Sequence, residues 1–307
     1  MQIQWYPGHM YKAGKEIKKT LSHIDLIIEI IDARLPFSSE NPKLAELRGD
    51  KPCIKLLSKS DLADEKITEC WQQYFEQQRG VKTLAISRDY PEKARQIPVL
   101  CQKMLPLKAK GKAIQVLIMG IPNVGKSTLI NLLANRMIAK TGNEPAVTKY
   151  QQRIDLKNGV VLFDTPGMMW PNVENKNSGY RLAITGAIKD TALQHDDVAF
   201  FAAEYLLKAY PERVQERYNL ETLPATESEL MDAIATRRGC FRTGKQIDYD
   251  KTAKILLAEL RAGILGRITY ETPEMVAKEM VELAVIREQK AAKKQKKKRT
   301  SRQRSKT

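Results

Sequence analysis

The stretch Gly120-Ile121-Pro122-Asn123-Val124-Gly125-Lys126-Ser127 decides the fold of this 307-residue chain. It fits the pattern G-x-x-x-x-G-K-[ST], whose glycines let successive backbone amides turn toward phosphate groups where a helix begins. We expect Lys126 to reach the outer phosphates and the hydroxyl of Ser127 to bind Mg²⁺. The apolar run Ile114-Gln115-Val116-Leu117-Ile118-Met119 predicts the strand that enters the loop. The predicted phosphate site comprises Asn123, Val124, Gly125, Lys126, Ser127 and Thr128.

A second motif follows the phosphate loop at the end of another predicted strand. Asp164-Thr165-Pro166-Gly167 comes 38 residues after Lys126 and directly after Val160-Val161-Leu162-Phe163. This position predicts that Asp164 holds Mg²⁺ through water and that the amide of Gly167 senses a γ-phosphate. Thr148 lies between the two motifs, where a mobile loop would supply a second hydroxyl to the metal. Its assignment depends on that position alone.

A third motif, Ser58-Lys59-Ser60-Asp61, precedes the phosphate loop and follows the predicted strand Cys53-Ile54-Lys55-Leu56-Leu57. A carboxylate can accept both the ring N–H and the exocyclic amine of guanine, a donor pair that adenine lacks. Asp61 would then select guanine, with Ser58 beside it, the stem of Lys59 over the base and Ser87 lining the pocket. The alternative is that Asp61 is only an acidic helix cap after a strand.

The order of these motifs is unusual. In an ordinary small GTPase the base-recognising motif comes last, whereas here it stands upstream of the phosphate loop. The chain is therefore predicted to contain a circularly permuted P-loop GTPase domain. Its apolar runs alternate with helix-like stretches, which indicates an α/β fold with a mostly parallel sheet buried on both faces.

Three segments are predicted along the chain. Residues 1–175 form the permuted GTP-binding domain, residues 176–286 a C-terminal all-helical domain that binds RNA or the ribosome, and residues 287–307 a disordered basic tail. Helical spacing of apolar residues supports the second segment. Thr226 and Glu229 form a capping-box pattern there, and Pro273 begins the last predicted helix.

The formal charge of +16 is concentrated at the C-terminal end. Residues 287–307 contain eleven Lys and Arg and a single acid, which predicts a polyanionic partner, RNA or DNA before a lipid surface. A tail that only increases solubility is the alternative. The four cysteines show no Cys-x-x-Cys spacing, which disfavours a zinc site or a disulfide framework. No apolar run has membrane-spanning length, so we expect a cytoplasmic protein without a membrane partner.

Several motifs together resemble one known family. They are Trp5-Tyr6-Pro7-Gly8-His9-Met10, Asp32-Ala33-Arg34-Leu35-Pro36, the phosphate loop, and Asp164-Thr165-Pro166-Gly167-Met168. The pattern is similar to that of the ribosome biogenesis GTPase A family of circularly permuted GTPases, over residues 1–285. Arg237-Arg238-Gly239-Cys240 and Leu260-Arg261-Ala262-Gly263-Ile264-Leu265-Gly266 extend the likeness into the helical segment.

The resemblance implies GTP hydrolysis coupled to late assembly of the large ribosomal subunit, with ribosomal RNA and GTP or GDP as partners. It implies that Met168 occupies the place of the water-orienting Gln of ordinary small GTPases, and that His9 substitutes as the catalytic residue. It also implies that Asn123 can hold K⁺ beside the phosphates. Ser58 stands where the family usually has Asn, and Ala146 where it usually has Gly.

Two other functions remain open from the sequence. One is a module that binds ribosomal RNA and uses the nucleotide only for folding, with negligible turnover. The other is a P-loop ATPase, which fits poorly because Asp164 lacks the adjacent catalytic acid usual in that class.

Overall fold

The computed structural model describes residues 8–109, 111–138, 152–170 and 173–304. Six strands form one sheet in the order β3-β2-β1-β4-β6-β5, in which only β5 is antiparallel to its neighbour. The mostly parallel α/β architecture predicted from the apolar runs is confirmed. The strands are β1 Leu26–Asp32, β2 Cys53–Ser58, β3 Val81–Ala85, β4 Ile114–Gly120, β5 Gln152–Asp155 and β6 Val160–Asp164.

Helices cover the sheet and continue beyond it. Six of them begin at a proline, whose fixed φ and missing N–H suit the first turn. The helices are α1 Gly8–Thr20, α2 Pro36–Ser39, α3 Pro42–Arg48, α4 Glu65–Glu76, α5 Pro91–Arg95, α6 Ile97–Met104, α7 Pro106–Ala109, α8 Lys126–Ala134, α9 Lys176–Ile184, α10 His195–Ala209, α11 Pro211–Tyr218, α12 Glu227–Arg238, α13 Tyr249–Arg261 and α14 Pro273–Arg304.

The five parallel strands end at the same edge of the sheet, and this edge positions the predicted site. The phosphate loop follows β4, which lies between β1 and β6. The strand that precedes Asp61, β2, lies beyond β1 and is therefore two strands away from β4. Strand β5 was not predicted from the sequence. It is a short edge strand whose Gln152 and Arg153 are exposed, so it lacks the apolar run that marks the others.

The helical segment has an apolar core of its own. Helices α9 to α13 surround buried residues such as Leu206, Leu230 and Leu256. The predicted capping box is present, because Thr226 Oγ1 accepts a hydrogen bond from the amide of Glu229. Ile264 lies beyond the end of α13 and is half exposed.

The helix α9 belongs to both cores. Its Leu182 packs in the core around the sheet, whereas Tyr180 and Ala183 pack in the core of the helical segment. The predicted boundary at residues 175/176 thus falls next to a helix shared between the two regions.

The last helix differs from the sequence expectation. Residues 287–307 were expected to be disordered, but α14 continues through Arg304. Ala, Gln, Lys and Arg have high intrinsic helix propensity, which the expectation from charge alone left out. The N-terminal part of α14 is anchored, because Val276 is buried in the core around the sheet. Within the described ranges, no helix is both long and apolar enough to cross a membrane.

An extended segment, residues 268–271, connects the helical segment to the base-side edge of the sheet. The amide of Ile268 donates to the carbonyl of Leu62 at 2.9 Å, and the amide of Tyr270 donates to the carbonyl of Arg34 at 2.7 Å. The side chain of Glu271 is fully buried, where it accepts from the amide of Ser38 and forms a salt bridge with Arg181. The two regions are therefore held together by backbone bonds and a buried ion pair.

Candidate nucleotide site

The phosphate loop has the strand–turn–helix geometry that the sequence predicts. Strand β4 ends at Gly120, and α8 begins at Lys126. A Cβ at Gly120 would lie 2.5 Å from the carbonyl oxygen of Ile30, so only glycine lets β4 pass β1 this closely. Asn123 adopts a left-handed conformation with φ of 60°, which turns the loop back toward the helix. Val124 is buried beneath the turn.

Lys126 lies under this loop with its charge only partly compensated. Its side chain is 7% exposed, and Nζ donates to the carbonyls of Gly120 at 3.2 Å and Ile121 at 3.0 Å. Burial lowers the pKa of Lys126 to about 8, although the charge of Asp164 acts in the opposite direction. A cation held mainly by carbonyl dipoles is suited to bind an incoming anion.

Asp164 lies at the end of β6, paired across the sheet with Ile118 of β4. It is fully buried, and neither carboxylate oxygen has a hydrogen-bond partner among the described residues. Burial raises the pKa of Asp164 to about 6, against the effect of Lys126. Buried carboxylates are normally paired or bound to a metal, so the chemistry of this side chain fits a cation ligand.

The first turn of α8 supplies hydroxyls beside these charges. Ser127 is half-buried there and Thr128 is exposed. A serine hydroxyl and an unpaired carboxylate are the oxygen donors that Mg²⁺ takes in phosphate sites, so Ser127 and Asp164 fit this ion. Thr148, the predicted third contributor, lies outside the described residues, as does Ala146.

The segment after Asp164 lies against the phosphate loop. The amide of Met168 donates to the carbonyl of Gly120 at 3.1 Å. A Cβ at Gly167 would approach Pro122 Cα to 3.0 Å and Lys126 Nζ to 3.2 Å, so a side chain there would crowd the loop. Gly167 therefore lies against the phosphate loop and Lys126, and its role as a sensor of the outer phosphate stays a prediction.

Helix α1 packs on the same segment. Met10 is fully buried, and its sulfur accepts a hydrogen bond from the amide of Met169 at 3.4 Å. His9 lies in the first turn of α1, next to Met10, and its side chain is outside the described part of the structure. The side-chain amide of Asn41, a residue not predicted as part of the site, donates to the carbonyl of Met168 at 2.9 Å. The segment is thus fixed from two sides.

The base-side residues gather where β2 and β3 end. Asp61 is half-buried, and its Oδ1 has no hydrogen-bond partner in the described ranges. Ser58 is buried and donates to the carbonyl of Ile31 at 2.9 Å, which ties β2 to β1. Ser87 follows β3, where its hydroxyl accepts from the amide of Tyr90 at 3.2 Å. The hydroxyls of both serines are thus engaged in hydrogen bonds to backbone groups, whereas Asp61 Oδ1 has no hydrogen-bond partner in the described ranges.

The side chain of Lys59 forms an ion pair with Asp32, which was not predicted as a site residue. Asp32 ends β1 and binds Lys59 Nζ at 2.9 Å and Arg34 Nη2 at 2.8 Å. Burial acts to raise the pKa of Asp32, but the Arg34 guanidinium and the Lys59 ammonium hold it well below its usual range. The sequence did carry a signal for Asp32, a charged residue at the end of a buried parallel strand, because ligands bind at that edge of a parallel sheet.

Asn123 connects the phosphate loop to the helical segment. Its side-chain amide donates to the carbonyl of Gly186, two residues beyond α9, at 2.8 Å. The nitrogen of this amide is therefore engaged, and a K⁺ ion would have to bind through the amide oxygen.

The fold brings the sequence-distant motifs to one edge. Two strand spacings, about 10 Å, separate β2 from β4. This is the scale of a nucleotide extended between a base pocket and a phosphate loop. The arrangement can hold a polyphosphate over Lys126, a divalent cation at Asp164, and a purine beside Asp61.

Comparison with known proteins agrees with this geometry. Residues 115–224 match the protein-family model described as 50S ribosome-binding GTPase, a match that starts in β4 and leaves out Asp61. Ribosome biogenesis GTPase A of Bacillus cereus is 46% identical over 296 residues, covering 94% of this chain and 100% of the relative. Its counterpart in Thermotoga maritima is 30% identical, covering 89% and 95%.

A mitochondrial relative and two solved structures extend the likeness. Mitochondrial ribosome-associated GTPase 1 of Mus musculus is 30% identical, covering 87% of this chain and 90% of the relative. A GDP-bound structure of YlqF has a TM-score of 0.62 at 27% identity, covering 84% of this chain and 99% of that one. A GNP-bound YlqF from T. maritima has a TM-score of 0.61 at 27% identity, covering 86% and 99%.

Proposed function

Because the chain belongs to the ribosome biogenesis GTPase A family, we propose that it is a GTP-hydrolysing switch in late assembly of the large ribosomal subunit. Membership makes it a GTPase of ribosome biogenesis. The finer proposal is that it binds ribosomal RNA and that the subunit stimulates hydrolysis. The description of the matching family model, a 50S ribosome-binding GTPase, supports that partner.

One observation carries the proposal. Asp61, encoded upstream, lies at the same sheet edge as Lys126 and Asp164, although the order of the motifs is permuted. A base-recognising carboxylate, a phosphate-binding lysine and a cation ligand at one edge are the three requirements of a guanine nucleotide site.

Phosphate binding belongs to the loop before α8 and to Gly167. Lys126 binds the β- and γ-phosphates, the amides of residues 123–128 cradle the chain, and the amide of Gly167 contacts the γ-phosphate. Ser127 and Asp164 hold Mg²⁺, with Thr148 as a further ligand. The ion, when bound, neutralises charge that develops on the phosphates.

We assign the water-orienting role to His9. Met168 has a thioether where ordinary small GTPases have the amide of Gln, and a thioether cannot orient a water molecule for attack. The packing of Met10 against Met169 places the backbone of His9 beside the segment that follows Asp164. A neutral imidazole there can accept a hydrogen bond from the attacking water.

The route from the nucleotide to the helical segment begins at Gly167. Among the described residues between Gly167 and α9, no strand intervenes. Loss of the γ-phosphate frees Gly167 and Thr148, and the released segment then acts on the helices that follow it. The bond from Asn123 to Gly186 is a second connection between the phosphate loop and this region.

Subunit-stimulated hydrolysis tests the proposal. GTP turnover of the wild type and of His9→Ala is measured with and without large ribosomal subunits, in K⁺ and in Na⁺. We expect stimulation of the wild type, loss of stimulation in His9→Ala, and higher turnover in K⁺ if Asn123 helps to hold that ion. The matched control is His23→Ala, which replaces an exposed histidine farther along the same N-terminal region.

The outcomes separate the two functions that remain. Tight GTP binding with no turnover on the subunit would favour the RNA-binding module whose nucleotide is only structural. Stimulation that persists in His9→Ala would refute the assigned role of His9 and leave the GTPase intact.

Salt dependence tests the role of the basic end. Residues 287–307 would bind RNA phosphates, and each phosphate contact contributes to the slope of log K against log salt, about −0.7 for single strands. Removal of the last twenty residues should therefore make the slope less steep, by about 0.7 for each phosphate contact that is lost. An unchanged slope would exclude phosphate binding by this segment.

A further inference from the structure

The carboxylate of Asp32 is the most fully bonded polar group near the base side of the site. Its Oδ1 accepts from the backbone amide of Arg34 at 3.1 Å and from Arg34 Nε at 2.9 Å. Its Oδ2 accepts from Arg34 Nη2 at 2.8 Å and from Lys59 Nζ at 2.9 Å. Its own amide donates to Ser39 Oγ at 2.9 Å. Asp32 is buried, with 2% of its surface exposed.

Lys59 is directed to this carboxylate by its backbone. Its φ of 56° and ψ of 35° lie in the left-handed region, which costs an L-residue about 1–2 kcal/mol. The conformation is kept by the bond from the amide of Leu62 to the carbonyl of Lys59 at 3.0 Å, next to the bond from Ser60 to Ile86 at 3.2 Å. Strain kept at a loop beside a candidate site indicates a use for it.

Asp61 lies close to the same group of charges. The pKa of Arg34 is raised, because the charges of Asp32 and, more weakly, Asp61 outweigh the effect of burial, which acts to lower it. Arg34 Nη1 is buried without a hydrogen-bond partner in the described ranges, as is Asp61 Oδ1. Lys59 is thus fixed by Asp32, which also binds Arg34, and Asp61 follows Lys59 by two residues in the same turn.

We propose that Asp32 is a positioning residue for guanine recognition, because it holds Lys59 with the aliphatic stem lying over the base that Asp61 binds. The inference rests on the proposed roles of Lys59 and Asp61. It assigns to Asp32 an effect on the base alone. The polyphosphate, bound by Lys126 beyond the end of the neighbouring strand β4, is not contacted by Asp32 and should be unaffected by it.

Three ligands separate this role from a purely structural one. GDP has the exocyclic amine that Asp61 recognises, inosine diphosphate lacks it, and tripolyphosphate lacks a base altogether. If Asp32 acts through Lys59, Asp32→Asn weakens GDP and inosine diphosphate by the same factor, about tenfold, which is the loss of about 1.4 kcal/mol. Tripolyphosphate binds as to the wild type. A structural role would weaken all three.

A double-mutant cycle identifies the route. Lys59→Met keeps an aliphatic stem but removes the ion pair with Asp32. Adding Asp32→Asn to Lys59→Met should then change the affinity for GDP by less than about twofold, since the effects of residues that act as a unit are not additive. Additive losses would overturn the proposal.

Two controls keep the result interpretable. Asp155→Asn breaks a comparable pair, Asp155 with Lys157 two residues on, at an exposed position, and should leave all three affinities unchanged. Should Asp32→Asn fail to fold, Lys59→Met alone must weaken GDP and inosine diphosphate equally, and wild-type affinity would refute the proposal. A wild type that does not prefer GDP over ADP would instead refute the guanine site itself.

Discussion

The two ends of the candidate site differ in how their buried charges are paired. At the phosphate end, Lys126 is held by carbonyl dipoles and Asp164 by no hydrogen bond from the described residues. At the base end, Asp32 is saturated by Arg34 and Lys59. Burial consequently shifts the pKa of Lys126 to about 8 and that of Asp164 to about 6, whereas the partners of Asp32 lower its pKa.

This difference indicates a division of roles. Charges left without partners at the phosphate end gain most when a polyphosphate and a metal ion bind, so that end should supply most of the affinity. At the base end, Asp32, Arg34 and Lys59 are already paired and gain little from a ligand, but they hold Lys59 in place beside Asp61, whose Oδ1 has no hydrogen-bond partner in the described ranges. We therefore expect the base end to determine specificity.

The largest effect is expected at Lys126. Lys126→Met removes the cation that the phosphates need, so GDP affinity should fall by about a thousandfold, roughly 4 kcal/mol. The thermal unfolding midpoint should not fall, because the lost charge has no counter-ion bonded to it. Calorimetric titration with GDP and a melting curve measure both, and Lys157→Met at an exposed site is the control. A fall in GDP affinity of less than tenfold would contradict the proposed division.

The next effect is expected at Asp61. Asp61→Asn replaces a carboxylate that accepts two bonds from guanine, and GDP should bind about a hundredfold more weakly. Xanthosine diphosphate, which has a carbonyl in place of the amine, should gain affinity because the new amide can donate to it. Competition between the two diphosphates measures the reversal. If both weaken equally, Asp61 does not contact the base.

Replacing the carboxylate of Asp164 should increase the free energy of unfolding of the metal-free protein. The pKa of this carboxylate is raised from 3.8 to about 6, so the folded protein binds more protons than the unfolded chain between these values. Stability therefore falls as pH rises through this window, and the loss remains above it. Asp164→Asn should stabilise the metal-free protein by about 2 kcal/mol at pH 8 and remove the stabilisation by Mg²⁺ with GDP.

Denaturant unfolding with and without EDTA measures this effect. Asp155→Asn, at an exposed site on β5, should leave stability unchanged within about 0.5 kcal/mol. A destabilised Asp164→Asn would mean that the carboxylate is paired after all.

The smallest effect is a proton taken up on binding. Burial holds the pKa of Lys126 at about 8, and a bound polyphosphate raises it again. Near pH 8, GDP binding should thus take up a fraction of a proton, and GDP affinity should fall as pH rises above 8, by at most about tenfold per unit. Titration calorimetry in buffers of different ionisation enthalpy measures the uptake, and Lys126→Arg should abolish it.

Much of the fold was predictable because its signals are local. Apolar runs predicted strands β2, β4 and β6, and the phosphate loop lies between β4 and α8 as expected. Strand β5 was missed because an exposed edge strand has no apolar run. The helix through Arg304 was missed because charge density was weighed above the helix propensity of Ala, Gln and Lys.

The contacts around the candidate site were less accessible to sequence reasoning. Asn41 bonds to Met168 across 127 residues, and Asp64 bonds to Thr269 across 205. Neither pair has a sequence pattern, because the contacts arise from separate elements that pack together. The link between Asp32 and Lys59 has the same origin, since β1 and β2 must pair before the two side chains can meet.

The sequence alone predicted which groups would bind phosphate and base, because backbone turns and strand ends are encoded by consecutive residues. Only the tertiary structure decided which of those charged groups are paired with an opposite charge. Whether a buried charge is paired depends on neighbours distant in the chain, and the same burial therefore leaves Asp164 protonated more readily and Asp32 less readily than in water.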